Sequence, residues 1–290
     1  MYRTPIKLTD CRLWQVTFAP LSPVIRKRRT SLLTAILTLV LATAIAPWAA
    51  HAQQDTLKIL AYNIHHANPP SKPGFIDLPA IARVINASGA DLVALQEVDV
   101  RTTRAGADSD QAAELGSLTG MYAHFVKAID HQGGDYGVAI LSRFPLLDQG
   151  GEHLPMAADA GGEPRVVAYV TVEPVAGKPV TFANTHLDLK PENRVLQAKR
   201  IGERLAEIPH PIILAGDFNA EPNSEAIGIL DRHFKRSQIP NGYTIPVDKP
   251  TREIDYIMYR PANGFKIVRH VVINEPYASD HLPVYVELAY

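Results

Sequence analysis

Cysteine is nearly missing from this chain. Its one copy, Cys11, stands near the start, so no intramolecular disulfide can form and stability has to come from a buried core. Positive charge is in no excess either: 29 Lys and Arg meet 30 Asp and Glu. No Ser/Gly-rich linker, block of like charge or internal repeat interrupts the sequence, and no run interleaves aromatic with basic residues. One domain is therefore the economical reading, and a protein that grips nucleic acid along its backbone is disfavoured.

The first fifty residues differ from the rest. Residues 26–29 read RKRR, Leu32 to Ala50 is almost uncharged and apolar, and Ala50, His51 and Ala52 offer small residues two positions apart before Gln53. That is the order of a secretory signal: basic region, apolar region, cleavage site. A retained membrane helix competes, because the apolar run approaches the length that spans a bilayer core of roughly 30 Å. Pro47 and the small-residue site favour cleavage after Ala52, with export to the periplasm or out of the cell, over anchoring. Residues 1–52 take seven basic side chains, one acid (Asp10) and Cys11 with them. The remainder, 53–290, carries 22 basic and 29 acidic side chains, a balance of −7. A chain of that sign has no general attraction to nucleic acid or anionic lipid.

From Thr56 onward, strands alternate with helical stretches. TLKILAYNI reads as a strand; DLPAIARVINASG has Asp77 as N-cap, Pro79 in its first turn and apolar residues at helical spacing; ADLVALQEV is a strand again. After a helix near Asp110 to Leu118 the chain turns strand-rich, through AHFVKAI, YGVAILS, VVAYVTVEP and KPVTFANTHL. A helix from about Pro191 to Ile208 precedes PIILAGDFN, and REIDYIMYR, FKIVRHVVI and LPVYVELAY close the sequence. Short strands outnumber helices, which points to two packed sheets with helices outside.

Polar residues gather where these strands are expected to end: Asn63, Glu97, His186, Asp217 with Asn219, Asp255, and Asp280 with His281. One such residue is ordinarily solvated or closes a turn. As a set they supply carboxylates, amides and histidines with almost no Lys or Cys, an inventory that suits Mg²⁺, with Mn²⁺ or Ca²⁺ as substitutes. With a metal on one phosphate oxygen, neutral Asn and protonated His would hold the remaining charge as an in-line attack develops.

The ordered segments YN, LQEVD, YGVAILSRFP, NTHLD, GDFNAEP, IDYIM and SDHLPV, from about Leu57 to Glu287, resemble the endonuclease/exonuclease/phosphatase superfamily. The resemblance implies a four-layer α/β/β/α sandwich of two packed mixed sheets with outer helices. It also implies roles: Glu97 as principal metal ligand with Asn63 and Asp280 near the same cation, and Asp217 orienting or deprotonating the attacking water. Asn219 and His186 then contact the phosphate, and His281 pairs with Asp255, which raises its pKa and orients it. Whether Asp217 or His281 is the base stays open.

Around this set, Tyr136 is either a substrate contact or a packed strand-edge ring, and Arg143 and Arg101 are candidates for phosphate contacts. His65 and His66 line the cleft, and Glu221 caps the following turn. The spellings YNIHHA and YGVAILSRFPL look most like the compact secreted hydrolases of the superfamily. The expected substrate is a phosphodiester outside the cytoplasm, a small diester or a lipid headgroup at a membrane surface. A secreted nuclease and an inactive binding protein on the same fold are the alternatives, and no protein partner is expected.

Overall fold

The computed structural model describes residues 55–261 and 263–290. The expected signal segment 1–52, its cleavage after Ala52, and Cys11 lie outside the described residues.

Strands β1 (Thr56–Asn63), β2 (Leu92–Val100), β3 (Tyr122–His131), β4 (Gly134–Ser142), β11 (Lys266–Val272) and β12 (Val284–Ala289) form one sheet, ordered β11-β12-β1-β2-β4-β3. The second comprises β5 (Asp148–His153), β6 (Val166–Val175), β7 (Lys178–His186), β8 (Ile212–Asp217), β9 (Lys235–Arg236) and β10 (Asp255–Arg260), ordered β5-β6-β7-β8-β10-β9. Each sheet has a single parallel pair at its centre, β1 with β2 and β7 with β8, and antiparallel neighbours on both sides. The two sheets thus repeat one strand pattern that no repeat in the sequence announces. Helix α1 (Leu78–Ser88) makes the first parallel crossover and α3 (Pro191–Ala206) the second, as parallel neighbours require.

Both faces of the central strands are covered, which is why they read as nearly unbroken apolar runs. In β1, Leu57, Ile59 and Ala61 face the second sheet, meeting Val170, Phe182, Ile213 and Ile257. Leu60 and Tyr62 face outward, where Ile81 and Ile85 of α1 and Leu115 of α2 (Gln111–Thr119) cover them. On the far side, Ile201 and Leu205 of α3 and Ile227 and Leu230 of α4 (Glu225–Leu230) close over Ile212 and Leu214. The chain therefore forms the expected α/β/β/α sandwich.

Asp77 caps α1 by accepting from Ala80 N at 3.0 Å, and Asp110 caps α2 by accepting from Ala113 N at 2.9 Å. Two elements escape the sequence pattern. β5 reads Asp-Gln-Gly-Gly-Glu-His, with no apolar alternation, because close packing sets its composition: a Cβ on Gly151 would stand 2.6 Å from Val126 Cγ1. Helix α4 has six residues, too few to display a period. Its cap is Ser224, through Ile227 N, and the expected cap Glu221 contributes its carbonyl, accepting from Ser224 N.

One irregularity positions the site. The pairing of β2 with β4 slips between Leu95 and Val98, and Glu97 sits there with φ +59°. A slip of this kind strands ladder groups and re-aims a side chain. Here the second sheet satisfies them: Asn184 Nδ2 donates to the carbonyls of Leu95 and Ala139 at 2.8 Å, and Gln96 Nε2 donates to Asn184 Oδ1 at 2.7 Å. All of these groups are buried. Asn184→Ala leaves them without partners and is expected to lower stability by roughly 2–4 kcal/mol. An unchanged urea midpoint would show that these ties between the sheets contribute nothing net.

Candidate active site

The two parallel pairs bring their C-terminal ends to the same end of the sandwich, so Asn63, Glu97, His186 and Asp217 converge from both sheets. Asp255, Asp280 and His281 reach them differently from the expectation. They stand at or just before the first residues of β10 and β12, whose antiparallel pairing sets them beside the ends of β8 and β1.

Asp217 is the centre. It is 1% exposed, yet each carboxylate oxygen has a donor: Asn219 N to Oδ1 at 2.8 Å and Asn63 Nδ2 to Oδ2 at 3.0 Å. Gly216 (φ +149°) and Asn219 (φ +47°) give the strand exit the sharp geometry that aims this carboxylate. Glycine is obligatory at the former, since a Cβ there would lie 2.0 Å from the Thr185 carbonyl oxygen. Burial and the neighbouring Asp255 push the Asp217 carboxyl up from its ordinary range.

His186 Nε2 and His281 Nε2 approach Asp217 Oδ2 to 3.5 and 3.8 Å. Their charge states differ, and that corrects the expectation of protonated histidines as a group. His186 Nδ1 stands 3.2 Å from Arg165 Nη1, which can only donate, so Nδ1 is the acceptor and the proton sits on Nε2. Burial and the Arg165 charge hold this ring well below the usual imidazole range, and it is neutral. His281 is the cation. Burial opposes its charge, but Asp255, 2.9 Å from Nδ1, prevails with help from Asp217 and Asp280 and pushes the ring up to about 10. Thr244 also donates to Asp255 Oδ2. Two Nε2–H groups, one neutral and one charged, therefore face the Asp217 carboxylate.

Asn63 stands between the two acids. Its Nδ2 donates to both Asp217 and Glu97, the latter at 3.1 Å, and its Oδ1, the only atom able to face a cation, accepts from His65 N. It bridges two carboxylates. Glu97 is partly open to solvent, with His66 Nδ1 at 3.7 Å. Burial works against its charge, but contacts with His66 and Asn63 hold it well below the usual carboxylate range. Asp280 contacts Ser279, whose hydroxyl donates to the Asn63 carbonyl. Asn219 Nδ2 is bonded to the Leu187 carbonyl at 2.9 Å, which braces the exit from β8.

Tyr136 is both wall and neighbour. Its ring packs under the Arg104 guanidinium at 5.6 Å and beside His131, while its hydroxyl interacts with Arg165 near Glu97. Arg143 does not join the cluster: it follows the last residue of β4, level with the first of β2, and donates to the Ala90 carbonyl at 2.8 Å. Arg101 is exposed on the turn after β2. Sequence reading missed Arg165, 6% exposed and 3.0 Å from Glu163. Its only signal is register, because β6 runs antiparallel to β7 with Val167 opposite Thr185, which sets Arg165 level with the end of β7. Thr244 and Ser279 were likewise invisible without the tertiary pairing.

Among the described residues, two groups gather three side chains able to ligate a cation within 4.8 Å: Asp217, Asp255 and His281, and His65, His66 and Glu97. Carboxylates outnumber the fixed cations in this cluster, and Glu97 is partly open to solvent. That donor set fits a divalent cation.

A buried, donor-aimed carboxylate between two imidazole N–H groups, at one end of an α/β sandwich, is an arrangement suited to hydrolytic chemistry. The profile of the Endonuclease/Exonuclease/phosphatase family matches residues 60–281, and the chain belongs to that family, whose members are phosphoester hydrolases. No curated protein matches it. The fold is similar to an endonuclease/exonuclease/phosphatase from Beutenbergia cavernae, at 26% identity and TM-score 0.65, covering 81% of this chain and 71% of that one. A mannosyl-6-phosphatase of Bacteroides thetaiotaomicron is similar at 21% identity and TM-score 0.66, covering 81% and 100%. The 2',3'-cyclic phosphatase ANGEL2 gives 17% and 0.62, covering 80% and 95%.

Removing one partner of the buried His281–Asp255 pair strands the other charge. His281→Ala is expected to lower stability by roughly 3–5 kcal/mol. Adding Asp255→Asn should restore part of the loss, because the stranded carboxylate goes too. Losses that simply add in urea unfolding would refute the pairing.

Proposed function

We propose that this chain is an exported, divalent-metal-dependent phosphodiesterase that hydrolyses a small diester or a lipid headgroup by in-line attack of water. The observation that carries the reading is the Asp217 carboxylate, bonded on both oxygens and faced by two histidine Nε2–H groups.

Asp217 takes the proton from the attacking water. Its raised affinity for a proton makes it a stronger base than an ordinary aspartate. His281 cannot take that role, since Asp255 keeps it charged. His281 and neutral His186 instead donate to the non-bridging oxygens, where negative charge grows as the new P–O bond forms and the old one breaks. Arg165 fixes the tautomer of His186, and Asn63 holds Asp217 and Glu97 at a set separation. Glu97, with Asp280 at the same end, would hold the metal, which supplies Lewis-acid neutralisation of the phosphate. The oxygen donors alone accept Mg²⁺, Mn²⁺ or Ca²⁺.

A diester is preferred over a monoester on charge. The cluster holds Glu97, Asp217, Asp255 and Asp280 against His281 and an Arg165 already paired with Glu163, so a singly charged phosphate meets less repulsion than a dianion. The balance of −7 over residues 53–290 likewise disfavours a polyanion. Exposed Phe75, Leu189 and Tyr243 stand on the loops that follow β1 and β7 and precede β10. These are the loops of the catalytic end, and apolar tips there suit a lipid surface.

The test is a panel with Mg²⁺: a chromogenic diester, a choline phospholipid, a sugar monoester, duplex DNA and single-stranded nucleic acid. Diester or lipid cleavage is expected to exceed the rest, to vanish with chelator, and to fall about 10²–10⁴-fold in Asp217→Asn. Faster monoester or DNA cleavage would overturn the substrate class. Full activity in chelator would end the metal reading, and parental turnover in Asp217→Asn would end the role of that residue.

A further inference from the structure

Just after β1 the chain does something costly. His65, His66 and Ala67 are three successive non-glycine residues with positive φ (46°, 42° and 60°), and Glu97 opposite them has φ +59°. Such backbone persists only where its surroundings over-determine it. Here they do: Asn63 Oδ1 accepts from His65 N, Gln111 Nε2 donates to the His66 carbonyl at 2.8 Å, and Ala67 N and Asn68 N close the turn onto Ile64 and His65. The result holds two imidazoles against one carboxylate, with the ligating atoms of all three within 4.8 Å of one another.

The hydrogen bonding of the rings leaves their lone pairs free. His65 Nδ1 lies 2.8 Å from the Asn68 carbonyl oxygen, an atom that can only accept, so Nδ1 carries the proton and Nε2 of the neutral ring has a lone pair to offer. A backbone carbonyl on the remote nitrogen is the support that metal-binding histidines usually have. His66 Nδ1 is buried without a hydrogen-bond partner, 3.7 Å from Glu97 Oε2. That separation leaves room for a cation about 2.0–2.2 Å from each atom.

We infer that His65, His66 and Glu97 form a mixed nitrogen–oxygen position for a borderline first-row divalent cation such as Zn²⁺ or Co²⁺, held in preference to Mg²⁺. Imidazole donors favour such ions, whereas Mg²⁺ prefers oxygen and keeps its waters. The inference rests on the metal-dependent reading above, from which it takes a cation at Glu97, and it adds the two histidines as ligands that set the metal's identity.

The test is binding, independent of turnover. Chelator-stripped protein is titrated with Mg²⁺ and with Co²⁺, the latter also followed by its visible absorption, in the parent, His65→Gln, His66→Gln and Glu97→Gln. Each histidine variant is expected to weaken Co²⁺ about 10- to 100-fold, to alter its spectrum, and to leave Mg²⁺ binding unchanged. Because the strained turn makes misfolding of the variants a risk, the parent is also followed by ¹⁵N resonances of its imidazoles. Zn²⁺ should shift two rings, and Mg²⁺ neither. Co²⁺ affinity and spectrum unchanged in both histidine variants, with loss only in Glu97→Gln, would overturn the inference while leaving a metal enzyme. So would imidazole resonances indifferent to Zn²⁺. A parent that binds neither ion would remove both readings.

Discussion

The amide of Asn63 is the point on which the two halves of the molecule meet. Its Nδ2 reaches a carboxylate from each sheet, Glu97 on one and Asp217 on the other, at 3.1 and 3.0 Å. Two acids approached by one donor neither drift apart nor collapse together, and an interior that excludes water strengthens both bonds. A few residues deeper, Gln96 and Asn184 repeat the arrangement between the sheets and satisfy the carbonyls freed by the slip in β2. That slip turns Glu97 toward the cleft, so the site depends on a polar seam in a core that is otherwise apolar.

Repetition of one strand pattern explains where the site lies. A parallel pair needs a crossover helix, so its two strands finish together at one end, and antiparallel neighbours begin where they finish. Two sheets of the same pattern, packed face to face with those ends together, deliver four strand ends and two strand starts to one place. Asn63, Glu97, His186 and Asp217 come by the first route, and Asp255, Asp280 and His281 by the second.

Electrostatics then separates groups that look alike on paper. His186 and His281 both point Nε2 at Asp217, but one is backed by a guanidinium and the other by a carboxylate. The first is neutral and the second charged. An aspartate between them, buried beside another aspartate, gains affinity for a proton. Carboxylate excess around the cleft leaves room for a cation, and the same excess disfavours a heavily charged substrate.

Most of the scaffold was legible in the sequence, and so were most of the polar side chains that the fold gathers at one end of the sandwich. Unbroken apolar runs marked strands covered on both faces, Asp77 and Asp110 announced two helices, and GDFN and SDHLP stood out because acids, amides and histidines beside strands are rarely so dense. β5 was not legible, since contacts of its glycines replace the usual apolar alternation, and neither was α4, too short for a period. Arg143 looked like a phosphate ligand beside a familiar motif, yet pairing of β4 with β2 carries it to the far end of the sheet. Arg165 looked ordinary, yet pairing of β6 with β7 carries it to His186. The sequence by itself determined the residue types and the alternation that buries them, hence packed sheets with helices outside, because those follow from local period and composition, while the four-layer order came through the family resemblance. Only the tertiary structure decided which groups touch, which histidine is charged and which arginine serves the site, because register between strands distant in sequence sets every one of those contacts.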